Sequence, residues 1–109
     1  ETGISKTFFP HGIGHFLGLD VHDAGIYQHK GEPTKLQPNM VLTIEPGLYI
    51  SRDSKCPEQY KGIGIRIEDD VVVQHNGCEI LTSGVPKTRA QIEALMGEAY
   101  RDPLCPSQA

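Results

Sequence analysis

A chain of 109 residues with 38% hydrophobic and 22% charged side chains fits a single globular domain, one able to bury roughly two-thirds of its unfolded surface. A net charge of -4 speaks against nucleic acid as a partner, and no apolar run approaches the ~20 residues that cross a bilayer. Cys56, Cys78 and Cys105 are odd in number and lack C-x-x-C spacing, which excludes a disulfide framework and a thiolate zinc site and points to a reducing, cytoplasmic setting.

Glycines 12, 14, 18, 25 and 31 punctuate the first third, which reads as short strands and loops rather than helix. The sequence opens on Glu1, and its first recognisable element is Thr7–Pro10, so a preceding portion of the protein is expected. Residues 29–39 read as a surface loop with a Pro38-Asn39 turn. In Met40–Glu45, Met40, Leu42 and Ile44 share one strand face, and Val41, Thr43 and Glu45 the other. Pro46-Gly47 should interrupt that ladder before Leu48-Tyr49-Ile50 resumes it.

Residues 51–61 form a polar loop. A second alternation sets Ile63, Ile65 and Ile67 against Gly64, Arg66 and Glu68, and Val71–Val73 continues it as strand. Asn76-Gly77 marks a hairpin into Cys78–Thr82. Thr88 with Gln91 is a capping-box pattern ahead of Ile92, Leu95, Met96 and Ala99, an amphipathic helix of about three turns. The expected architecture is α+β, an antiparallel sheet followed by a helix, with a domain over 1–100 and a frayed tail over 101–109.

Chemistry-bearing residues are unevenly placed. Four of the five histidines, His11, His15, His22 and His29, lie close together in sequence. His11-Gly-Ile-Gly-His15 has the spacing of two ligands on one helix face, but its glycines oppose helix and the glutamate of H-E-x-x-H is missing. Glu45 ends an apolar strand directly before Pro-Gly. Glu68, Asp69 and Asp70 place three carboxylates beside a β-branched run, with Arg66 on the Glu68 face. Adjacent carboxylates there repel and disfavour strand; an exposed edge or turn would tolerate them, and a bound cation would explain them. A histidine with two glutamates suits Mn²⁺, Zn²⁺, Co²⁺ or Fe²⁺, but three ligands are too few for two metals.

The runs FFPHGIGHFLGLDVHD, VLTIEPGLYI and PEQYKGIGIRIEDDVVV, in that order, resemble the pita-bread metallopeptidases, and among them the Xaa-Pro aminopeptidases (aminopeptidase P), with prolidase next. The short interval from Glu45 to Glu68 favours the former. The resemblance spans about Phe8 to Met96. It implies the C-terminal half of a pita-bread (creatinase/methionine aminopeptidase-like) fold, a curved antiparallel sheet with a C-terminal helix.

It also implies hydrolysis of the bond between an N-terminal residue and a following proline, by a hydroxide held between two divalent metals, Mn²⁺ first and Zn²⁺ or Co²⁺ as alternatives. By motif, His15, Glu45 and Glu68 would be metal ligands, Glu68 bridging. His22 and Glu45 would be catalytic, His11 and His22 would touch substrate, and Arg66 and Tyr49 would orient the carboxylates. The partner would be a peptide with proline second, and the parent a homo-oligomer binding neither nucleic acid nor membrane. Two further aspartate ligands would lie upstream, so the piece alone should be inactive. The competing readings are a prolidase acting on Xaa-Pro dipeptides, a non-catalytic pita-bread binding module, and a mononuclear 2-His-1-carboxylate enzyme, for which the required spacing is lacking.

Overall fold

The computed structural model describes residues 4–99, with side chains from 6 to 97. The expected tail over 101–109 and Cys105 lie outside the described residues. The structure opens with a five-residue helix, α1 (Ile4–Phe8), where strands and loops were expected. It stops two residues ahead of Pro10, whose ring disfavours helical backbone in the residue before it.

Two short strands, β1 (Gln28–His29) and β2 (Glu32–Pro33), form a tight hairpin inside the stretch read as a loop. Lys30 and Gly31 both take positive φ, 52° and 85°. Such a two-residue turn matches the twist of paired strands, and a lysine at its first position hides it from a sequence reading. The Pro38-Asn39 turn is present, with Asn39 at φ 72° and Met40 N–H donating to the Gln37 carbonyl at 3.2 Å. Proline second and a left-handed residue third is the chemistry such a turn requires.

The centre of the molecule is a long antiparallel ribbon. β3 (Val41–Ile44) pairs with β6 (Asp69–Val73), and β4 (Gly47–Tyr49) pairs with β5 (Gly64–Arg66). Ile44 opposes Asp69 and Gly47 opposes Arg66, so both ladders keep one register through the intervening residues. The ladder lapses at Glu45-Pro46 on one side and Ile67-Glu68 on the other. Pro46 has no N–H to give, although its carbonyl accepts from Ile67 N–H at 3.2 Å. The expected continuous strand from Ile63 into the valine run is therefore broken, and Glu68 stands in the break rather than inside a strand.

β7 (Cys78–Ile80) extends the sheet beyond β6 through the Asn76-Gly77 turn, with Gly77 at φ 96°. On the opposite edge residues 13–17 run antiparallel to β3. Thr43 and Glu45 N–H groups donate to the His15 and Ile13 carbonyls at 2.9 and 2.7 Å, and Leu17 N–H donates to Val41. The loop after β7 is tied back by Lys87, whose ammonium reaches Asp69 Oδ1 at 2.9 Å and donates to the Thr82 carbonyl at 2.8 Å.

α2 (Arg89–Ala99) begins with a complete capping box: Thr88 N–H donates to Gln91 Oε1 at 3.1 Å, and Gln91 N–H donates to Thr88 Oγ1 at 3.3 Å. Its apolar stripe of Ile92, Leu95 and Met96 is about half exposed, and among the described residues the helix packs against none of the strands.

The burial that length and composition allow is not reached among the described residues. Among the described residues Val71 is the one buried hydrophobic side chain. One face of the ribbon carries Leu48, Ile63, Ile65 and Ile67, which with Phe9 and Ile50 line an open groove of about 500 Å³. Leu48 and Ile65 remain 62% and 60% exposed there, so none of the described residues covers them. The polar face is the opposite one, and it carries the chemistry.

Candidate metal centre

Alternation places Thr43, Glu45 and Tyr49 on one face of the ribbon, and the shared register brings Arg66, Glu68 and Asp70 opposite them. Carried through the break, that register sets Glu45 against Glu68. The edge segment adds His15 beside Thr43. This approach requires a glycine at position 14, because a Cβ there would collide with the Thr43 backbone carbonyl.

One ligand atom each from His15, Glu45 and Glu68 falls within 4.8 Å of the others. His15 and Glu45 are mostly shielded, at 17% and 13% side-chain exposure, while Glu68 opens to solvent. His15 Nε2 lies 3.2 Å from Glu45 Oε1. Its Nδ1 is 2.9 Å from the Phe16 carbonyl, which can only accept, so Nδ1 carries a proton. In the neutral ring Nε2 is then a bare lone pair turned toward a carboxylate. A histidine with one nitrogen held by a backbone carbonyl and the other free is the form that binds a metal.

The donor set thus fits a divalent cation, with one imidazole nitrogen and carboxylates from the two sides of the break in the ribbon around a common point. Two metals would need more ligands than these three. Among the described residues no other group of three histidine, cysteine or acidic side chains converges in this way.

The supporting residues form a chain across the same face. Thr43 Oγ1 donates to Glu45 Oε1 at 3.0 Å and accepts from the His15 N–H at 3.1 Å. Arg66 Nε stands 3.7 Å from Glu45 Oε2, and its Nη1 donates to the Tyr49 hydroxyl at 3.2 Å. The Tyr49 hydroxyl, with nearby charge from Glu45 and Glu68, pushes the Arg66 guanidinium above its ordinary range.

Tyr49 also meets His11 Nε2 at 2.9 Å, while His11 Nδ1 donates to the Gly12 carbonyl at 2.7 Å. Neutral His11 therefore accepts the Tyr49 proton, and the direction runs Arg66 to Tyr49 to His11. Phe9 packs edge-on against the His11 ring at 4.8 Å.

His22 is exposed, with its ring 4.3 Å from that of His15, so it borders the centre without belonging to the ligand cluster. Asp23 is occupied locally, accepting from Ala24 N–H at 2.8 Å. Asp69 points away from the centre. Thr82 Oγ1, at 2.7 Å, and Lys87 hold its carboxyl below the usual carboxylate range. The sequence reading thus named every residue of the cluster but missed two supports. Thr43 was visible as a hydroxyl on the Glu45 face two residues away, whereas nothing local marks Lys87 as the partner of Asp69.

A profile of metallopeptidase family M24 matches residues 1–75. The Xaa-Pro aminopeptidase of Escherichia coli strain K12 is 57% identical over 96 residues, 88% of this chain and 22% of that protein. Aminopeptidase PepP of Pseudomonas aeruginosa superposes with a TM-score of 0.82 at 56% identity, over 88% of this chain and 22% of that one. Zinc-substituted E. coli aminopeptidase P in complex with product gives 0.82 at 55% identity, over 89% and 22%. The chain spans about a fifth of the length of the relatives it matches.

Proposed function

Since this chain belongs to metallopeptidase family M24, whose chemistry uses divalent metal ions, we propose that it supplies a histidine and two glutamates to the paired-metal centre of an Xaa-Pro aminopeptidase. Its fold is the corresponding portion of the pita-bread architecture, antiparallel strands with a C-terminal helix. The carrying observation is the convergence of His15, Glu45 and Glu68 on the polar face of the ribbon, in a chain 57% identical to an Xaa-Pro aminopeptidase.

Residues 1–100 are then part of a larger catalytic domain, and the remaining metal ligands come from elsewhere in it. Bound there, divalent metals would polarise the scissile carbonyl and lower the pKa of water; Mn²⁺ is our first choice, with Zn²⁺ or Co²⁺ able to substitute. His15 binds through Nε2 and Glu45 and Glu68 through their carboxylates. Glu45 is also placed to hold a proton for the leaving imino nitrogen. His22, beside His15 and open to solvent, donates to oxygen where negative charge develops. His11, held by Tyr49 and Phe9, lines the side that receives proline, and Arg66 steadies Glu45.

The substrate is a peptide with proline second, and the intact enzyme is a homo-oligomer. A cytoplasmic location accords with the free thiols of Cys56 and Cys78. Among the described residues no helix is long and apolar enough to cross a membrane.

The test is cleavage by the intact enzyme of peptides with proline or alanine second, before and after chelation. Release of the first residue from the proline peptide alone, lost on chelation and restored by Mn²⁺, is expected. Cleavage indifferent to chelator, or equal for both peptides, would overturn the proposal.

A further inference from the structure

We infer that Thr43 is the positioning residue of this centre, its hydroxyl fixing where the Glu45 carboxylate and His15 stand relative to one another. This role presupposes the metal function proposed above and assigns it a determinant outside the ligand set.

Thr43 is 2% exposed, the most completely buried side chain among the described residues, yet it is polar and lies on the polar face. A hydroxyl has one proton to give and lone pairs to receive with, and here both directions are forced. The His15 backbone N–H can only donate, and the Glu45 carboxylate, when ionised, can only accept. One oxygen atom therefore ties the edge segment to the carboxylate, at 3.1 and 3.0 Å. The Thr43 backbone reinforces the tie by donating to the His15 carbonyl at 2.9 Å.

The other Glu45 oxygen is held less directly. Arg66 Nε stands 3.7 Å away, a charge contact too long to orient it as a hydrogen bond would. Orientation of Glu45 consequently comes from Thr43. The β-branched side chain restricts χ1, so the hydroxyl is directed by the strand itself. Valine has nearly the same shape and no O–H. In its place the half-buried His15 N–H loses its acceptor, and the Glu45 carboxylate is free to turn away from His15.

The experiment measures Mn²⁺ affinity of the intact enzyme by titration calorimetry for Thr43→Val, Thr43→Ser and Glu45→Gln, beside the melting temperature of each metal-free protein. Thr43→Val should weaken Mn²⁺ binding roughly ten- to a hundred-fold, the range for partners that orient ligands. Thr43→Ser should stay close to the wild type. A purely structural role would lower melting temperature without separating serine from valine in the affinity of the folded protein.

Wild-type affinity in Thr43→Val, or equal losses in both variants, would overturn the positioning role. If Thr43→Val does not fold, Thr43→Ala against Thr43→Ser makes the same comparison. Loss of binding in Glu45→Gln but not in Thr43→Val would remove this inference alone. Unchanged binding in Glu45→Gln would remove the metal assignment together with it.

Discussion

Glu45 and Glu68 face one another where the ladder of the ribbon lapses, in the register set by Ile44 opposite Asp69 and Gly47 opposite Arg66. Like charges directly across two strands are destabilising, on the order of the 0.2–1 kcal/mol that a favourable cross-strand pair contributes, and a cation reverses the sign of that contribution. Glu68→Gln should therefore act in opposite directions with and without metal. In the metal-free intact enzyme it should raise stability by a few tenths of a kcal/mol to about 1. With Mn²⁺ at a hundred times the wild-type Kd, the wild type gains about 2.7 kcal/mol and the variant should gain far less. Paired thermal melts with and without Mn²⁺ read both effects.

Gly14 lies against the backbone of β3, and any Cβ would meet the Thr43 carbonyl. Gly14→Ala should push residues 13–17 off the sheet edge and move His15 away from Glu45. Overpacking of this kind costs about 1–3 kcal/mol. A drop in melting temperature with weakened Mn²⁺ binding is expected, and an unchanged melt would show that the edge segment can move aside at little cost.

Tyr49→Phe keeps the ring and removes the oxygen between Arg66 and His11. The hydrogen bond from a charged group contributes about 1.5–3 kcal/mol at most and a neutral one about 1. A rate loss of roughly five- to a hundred-fold on proline peptides should follow, with metal content by atomic absorption unchanged. Loss of metal instead would assign Tyr49 to holding the ligands.

The Thr82 hydroxyl first, and then Lys87, hold the Asp69 carboxyl below its ordinary value. A depressed folded pKa means the contribution is complete above the unfolded pKa and is lost as pH falls through the folded one. Lys87→Met raises the folded value toward the unfolded one, so the acid unfolding midpoint should move to higher pH. Circular dichroism across an acid titration of the intact enzyme, alongside the wild type, measures the displacement; coincident curves would mean the pair contributes nothing to stability.

The local features of the fold were legible in the sequence. Period-two alternation located Val41–Ile44 and Gly64–Arg66, Asn76-Gly77 located the turn before Cys78, and Thr88 with Gln91 located the start of α2. Glu45 and Glu68 stood out because a carboxylate beside apolar β-branched residues needs a partner. What stayed hidden depends on a second segment. The break at Ile67-Glu68 is imposed by Pro46 on the opposing strand, and Asp69 is matched by Lys87 from the loop beyond β7. Thr43 was visible as a hydroxyl on the Glu45 face but unremarkable, since a threonine in a strand is ordinary until its burial and both its partners are known. Composition reports how much apolar surface a chain has, not whether the same chain covers it.

The centre exists in only one alignment of the two sides of the ribbon. Side chains alternate in a strand, so sliding one strand of the ribbon by a single residue would turn its entire set to the other face. Glu45 would then point into the groove lined by Leu48 and Ile65, and the three ligands could never meet. The register that sets Ile44 against Asp69 and Gly47 against Arg66 is therefore as necessary to the centre as its ligands, although none of those four residues is one.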